Sequence, residues 1–125
     1  MGKENIMARS MFERYGGFAT VSKIVMSFYG KVLDSDIIGD YFEDVDMPAL
    51  MDHQTKFIAQ AMGGPAAYSN EMLYRVHKDL DIDNRSFQEM VSVLRETLEE
   101  FELERGDIEH ILNDVRSRAQ YIIAE

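Results

Sequence analysis

Apolar residues recur every three or four positions along most of this chain and nowhere alternate as they would on a half-buried strand. One stripe, Val21, Ile24, Val25, Phe28, Tyr29, Val32 and Leu33, predicts a helix from about Phe18 to Leu33. Another contains Met47, Leu50, Met51, Gln54, Phe57, Ile58 and Ala61. Asp46 suits its N-cap, Pro48 its first turn, and Gly63-Gly64-Pro65 ends it. Phe87, Met90, Val91, Leu94, Leu98 and Phe101 mark a helix beginning near Asp83 or Asn84. The last is expected to begin at Asp107 and carries Ile108, Ile111, Leu112, Val115, Ala119, Ile122 and Ile123. Two shorter helices complete the pattern. The first is capped by Ser10 and stopped by Gly16-Gly17, and the other spans about Met72 to Lys78. Tyr41-Phe42 falls in a connection. The fold class is all-α, with a domain over residues 11–125 after an N-terminal extension over 1–10.

Composition narrows the chemistry. With 125 residues, 46% of them apolar, one domain with a sizeable core is expected. The absence of cysteine excludes disulfides, thiolate nucleophiles and sulfur-ligated metals. A formal charge of −10 disfavours nucleic acid and anionic membranes as partners. No apolar run has transmembrane or signal-peptide character, and the expected location is cytoplasmic. Nine methionines read as adaptable core filler, Met47, Met51, Met62, Met72 and Met90 among them.

Polar residues inside apolar stripes either find core partners or face a cavity. His77 lies among Leu73, Val76 and Leu80. It suits either a hydrogen-bonded core histidine or a metal ligand, and a single axial imidazole is a common way to hold haem iron. Gln54 in mid-stripe either pairs internally or points an amide donor at a bound molecule. Tyr29 beside Phe28 is an ordinary boundary tyrosine or a hydroxyl reaching the same pocket. His53 sits at the edge of its helix face, where periodicity favours exposure, and His110 reads as a surface residue.

Taken together, these residues resemble the group I truncated haemoglobins, the two-over-two helical globins. The likeness runs from Phe12 to the C-terminal helix. It is carried by Tyr15-Gly16-Gly17, Phe28-Tyr29, Tyr41-Phe42, Asp44-Val45-Asp46-Met47, His53-Gln54, Gly63-Gly64-Pro65 and Val76-His77-Lys78. The resemblance implies haem b with His77 as proximal iron ligand, and Tyr29 and Gln54 as distal hydrogen-bond donors. It also implies Phe42 on the haem face and Leu50 at the position where many globins place His or Gln. Phe57, Leu73, Val76, Ile82 and Phe87 complete the implied haem contacts. His53 matches the histidine that, in one subset, binds iron from the distal side when no external ligand is present. Some of that subset attach haem through a histidine of the last helix. Here none stands near Gln120-Tyr121, and His110 comes about three turns earlier, so non-covalent haem is implied. The matching role is tight binding of O2, with NO and CO as further ligands. Nitric oxide dioxygenation fed by an unidentified reductant is an implied activity. The alternative is a haem-based gas or redox sensor, or an electron-transfer module, without turnover.

Overall fold

The computed structural model describes residues 10–65, 69–78 and 80–123, without the side chain of Val76. Residues 1–9 of the expected N-terminal extension lie outside the described residues. The described elements are α1 (Met11–Arg14), α2 (Gly17–Leu33), a 3-10 turn (Gly39–Phe42), α3 (Met47–Ala61), α4 (Asn70–His77), α5 (Asn84–Glu100), α6 (Arg105–Ser117) and a final 3-10 turn (Ala119–Tyr121). No strand occurs among the described residues, and no described helix is long and apolar enough to cross a membrane.

Local chemistry starts three of these helices where the sequence predicts, while α4, expected from about Met72, begins at Asn70 because Ser69 caps it. Ser10 and Glu13 form a reciprocal capping box on α1. Asp46 accepts from the Ala49 amide at 3.2 Å, and Asp83 from the Ser86 amide at 2.8 Å. The α1–α2 corner needs Gly16, whose φ of 111° is left-handed and whose added Cβ would stand 2.4 Å from Thr20 Oγ1.

Helix α2 packs against α3 and α5, while α6 packs against α5 and α3, so two helix pairs close a ring around the core. Val21, Ile24, Val25, Val32, Met62, Leu73, Phe87, Leu98, Ile111, Leu112 and Val115 are fully buried there. Leu33, assigned to the α2 stripe, is 49% exposed instead, and Met72, assigned to the core, is 38% exposed. Leu33 is the last residue of α2, where the stripe runs off the packed surface; Met72 sits in the first turn of α4, before that helix meets the core at Leu73.

The last helix departs from expectation at both ends. It begins at Arg105, not Asp107, because Asp107 is engaged elsewhere. Its carboxylate accepts from the Tyr15 hydroxyl at 2.6 Å and from Arg14 Nη2 at 3.1 Å. The Tyr15 oxygen in turn accepts from the Glu104 amide at 3.0 Å, fixing the helix start. Burial disfavours ionisation of Asp107, but these hydrogen bonds outweigh it and hold its carboxyl below the usual range. At the other end the helix stops at Ser117 without glycine or proline. The Ser117 hydroxyl donates to the Asp114 carbonyl at 2.6 Å, and the Arg118 amide bonds to Val115 at 3.0 Å. The α-helical partner of that amide is thus taken, and the chain tightens into a 3-10 turn.

A Cβ at Gly64 would lie 2.7 Å from the Phe12 ring and 3.0 Å from the Ala59 carbonyl, whereas one at Gly30 would meet nothing within 4 Å. Gly64→Ala is therefore expected to cost about 1–3 kcal/mol by overpacking, and Gly30→Ala to gain up to about 1 kcal/mol of helix propensity. Urea unfolding of both variants checks this; equal midpoints would refute close packing at Gly64.

Candidate functional site: a histidine-bearing apolar cavity

Between the helix pairs lies a cavity of about 340 Å³, within the size range of small-ligand sites. Helix α2 contributes Ile24, Val25, Phe28, Tyr29 and Val32, and α3 contributes Leu50, His53, Gln54, Phe57 and Ile58. Further lining comes from Leu73 and His77 of α4, from Leu80 and Ile82 beyond it, and from Ser86, Phe87, Met90 and Leu94 of α5. Val115, Ile122, Ile38, Tyr41, Phe42 and Val45 complete the lining. The sequence-derived residues Tyr29, Phe42, Leu50, His53, Gln54, Phe57, Leu73, His77, Ile82 and Phe87 thus face one space. The Val76 side chain lies outside the described ones.

His77 is the last residue of α4, and its Nδ1 lies 2.7 Å from the Leu73 carbonyl one turn back. A carbonyl only accepts, so Nδ1 carries the hydrogen and the neutral ring keeps its lone pair on Nε2. Burial pushes the imidazole below its ordinary pKa, with the Leu73 hydrogen bond opposing only in part. Leu73 itself is 1% exposed and anchors the helix. The loop after His77 turns at Leu80, whose amide bonds to the His77 carbonyl at 3.0 Å, and at Asp81, which takes a left-handed φ of 52°. Aspartate tolerates that conformation without glycine.

Tyr29 is 5% exposed, and its ring stands edge-on to Phe28 at 4.9 Å and to Phe42 at 5.7 Å. Gln54 is half-buried, and His53 is exposed at the cavity rim. His110 is exposed on α6 and is not part of the lining. Arg75 is paired with Glu71 on the solvent side of α4.

Sequence reasoning missed one polar pair. The Tyr41 and Ser86 hydroxyls lie 3.2 Å apart, and both residues also line an adjoining surface cavity with Asp36, Asp40, Asp83 and Arg85. A serine in the first turn of a helix reads as polar surface, yet Ser86 is 6% exposed. Only its place in the same turn as Phe87 hints at burial.

Burial of His77 links its protonation to folding while nothing is bound to the ring. The unfolded chain protonates this imidazole near pH ~6.5, while the folded chain resists until more acid conditions. The unfolded state therefore binds more protons in that window, and stability falls as pH drops below about 6.5. Urea midpoints between about pH 7.5 and 5.5 should decline more steeply for wild type than for His77→Leu; parallel curves would remove buried His77 as the cause.

A neutral imidazole with its lone pair on Nε2, in a largely apolar lining, fits a haem-iron ligand. The chain matches the bacterial-like globin family over residues 10–123. It is 32% identical over 91 residues to a group 1 truncated haemoglobin of Tetrahymena thermophila, covering 73% of this chain and 75% of that one. With the group 1 truncated haemoglobin GlbN of Synechocystis it shares 33% identity over 95 residues, 73% of this chain and 77% of the relative. Among solved structures, the 2/2 haemoglobin of Synechococcus sp. PCC 7002, in the cyanomet state with covalently attached haem, superposes with a TM-score of 0.86. It is 26% identical over 94% of this chain and 100% of its own. The Fe(III) truncated haemoglobin of Tetrahymena pyriformis has the same fold, with a TM-score of 0.84 at 24% identity over 94% and 100% of the two chains. The chain therefore belongs to the bacterial-like globins of the group 1 truncated haemoglobin type, haem b proteins that bind diatomic gases such as O2.

Proposed function

We propose that His77 Nε2 ligates the haem iron and that Tyr29 and Gln54 hydrogen-bond the diatomic ligand on the opposite side. The observation that supports this reading is the Nδ1–Leu73 hydrogen bond, which leaves the lone pair on Nε2 of a residue that lines the cavity. When bound, haem would supply an iron able to hold the gas with partial negative charge on it. Toward that charge the Tyr29 hydroxyl and the Gln54 amide offer donors in a largely apolar space, where a hydrogen bond is stronger than in water. Phe42 holds the Tyr29 ring edge-on, and Leu50 and Phe57 keep the remainder of that wall apolar. Leu73, Val76, Ile82 and Phe87 complete the haem contacts in this reading. In this reading the haem is held non-covalently, since His110 is not part of the lining and no histidine occupies 119–123.

Two such donors favour retention of O2 over its delivery. That suits nitric oxide dioxygenation, in which NO, O2 and one electron combine to nitrate; a separate reductant supplies the electron. NO and CO enter the same pocket as ligands.

His53 is the candidate sixth ligand. It shares the cavity rim with Gln54, and the α3 residues around it, Met47, Leu50 and Met51, are only partly buried, which allows the side chain to swing inward. In the haem-loaded protein without external ligand, wild type is expected to be six-coordinate and low-spin, and His53→Ala high-spin. His77→Ala should lose the wild-type spectrum and most haem affinity. Absorption spectra of the oxidised and reduced proteins decide: an unchanged His77→Ala spectrum would sink the proximal assignment, and indistinguishable high-spin spectra would sink the role of His53. Stopped-flow O2 release should accelerate about tenfold in Tyr29→Phe, the effect of losing one hydrogen bond of roughly 1–2 kcal/mol; an equal rate would remove Tyr29 from ligand stabilisation.

A further inference from the structure

Nothing in the apolar pattern marks Arg118, yet its guanidinium meets three helices at once. Nε donates to Asp114 Oδ2 on α6 at 3.2 Å, and Nη1 donates to Asn70 Oδ1, at the first residue of α4, at 2.9 Å. The guanidinium carbon stands 5.5 Å from the centre of the Phe57 ring, which belongs to α3 and lines the cavity. With a side chain only 16% exposed, Arg118 is well shielded for a surface cation. Just beyond it, the 3-10 turn Ala119–Tyr121 is the described element against which α4 chiefly packs.

Helix α4 is short and carries His77 at its far end. Leu73, buried in the core, lies between Asn70 and His77 and acts as the fulcrum. A displacement of the Asn70 end therefore tilts the helix about Leu73 and moves the imidazole, roughly 10 Å away along the axis. We propose that Arg118 is a positioning residue for His77: it fastens the start of α4 to the end of α6 and to Phe57, and so sets how the imidazole stands in the cavity. This rests on the reading of His77 as the iron ligand. The task suits a guanidinium, which forks to two acceptors while its flat face covers a ring; an ammonium cannot do both.

The test compares haem-loaded wild type, Arg118→Met, Arg118→Lys and Asn70→Ala. Two quantities are read: the rate of haem loss to excess apomyoglobin, and the iron–histidine stretching band of the CO photoproduct, which reports the proximal bond whatever stands opposite. Arg118→Met is expected to lose haem about tenfold faster, as for one charge-assisted hydrogen bond, with a shifted and broadened band. Asn70→Ala spares the Arg118–Asp114 pair and should move both quantities the same way by less. Arg118→Lys should fall between wild type and Arg118→Met. A lower urea midpoint for Arg118→Met with wild-type haem loss and band would reduce Arg118 to a stabiliser of the fold and overturn the proposal. Unchanged values in Asn70→Ala would overturn it too, even if Arg118→Met failed to fold. A wild-type protein with no iron–histidine band would instead fail the assignment of His77, and the role of Arg118 with it.

Discussion

A single hydrogen bond within one helical turn sets the chemistry of the cavity. The Leu73 carbonyl accepts from His77 Nδ1 at 2.7 Å and so determines which nitrogen is left with a lone pair. The same residue plugs the core through its side chain. Orientation, tautomer and burial of the imidazole are therefore coupled through Leu73, and any change that lifts it from the core disturbs all three. The same burial that weakens the imidazole as a base keeps its lone pair unprotonated at neutral pH.

A cavity at the centre of a small domain removes contacts that would otherwise stabilise it, since side chains along a wall touch neighbours on fewer sides. Stability is recovered around the rim. Phe12 packs against Gly64 and donates its amide to the Met62 carbonyl at 2.9 Å, joining the first helix to the end of α3. Tyr15 and Asp107 join α1 to the start of α6. These contacts involve shielded groups with defined geometry. The ion pairs Lys31–Glu100 and Arg95–Glu109 are more exposed, and pairs of that kind contribute little individually.

Three helix starts were legible because each depends on one side chain and a fixed offset: Ser10, Asp46 and Asp83 all serve as caps. Asp107 looked equivalent, but a residue distant in sequence, Tyr15, had a competing claim on it. Periodicity sees only neighbours along the chain and has no access to that competition. The early end of α6 was illegible for the converse reason, since Ser117 turns back on its own helix and leaves the apolar spacing undisturbed. In the site, polar breaks in apolar stripes brought Tyr29, Gln54 and His77 to one cavity, whereas Ser86 was missed because its burial depends on Tyr41 across the fold. Resemblance to a family added Phe42 and Leu50, whose partly buried apolar side chains carry no such signal of their own.

The two polar residues at the rim of α3 are consecutive, and consecutive helical residues point about 100° apart. His53 and Gln54 cannot therefore occupy the middle of the cavity wall together; one faces inward at the expense of the other. In this structure Gln54 is the more buried and His53 the more exposed. The buried anchors of α3, Phe57, Ile58, Ala59 and Ala61, all lie toward its end, while Met47, Leu50 and Met51 at its start are partly exposed. An exchange between the two rim residues would thus require movement of the looser half alone, leaving the core contacts of Phe57 in place. Because Phe57 also lies beneath Arg118, the firm half of α3 is joined to the helix that carries His77. Under the proposed roles, the loosely packed start of α3 carries the ligand-facing residues, and its well-packed end is tied to the helix of His77.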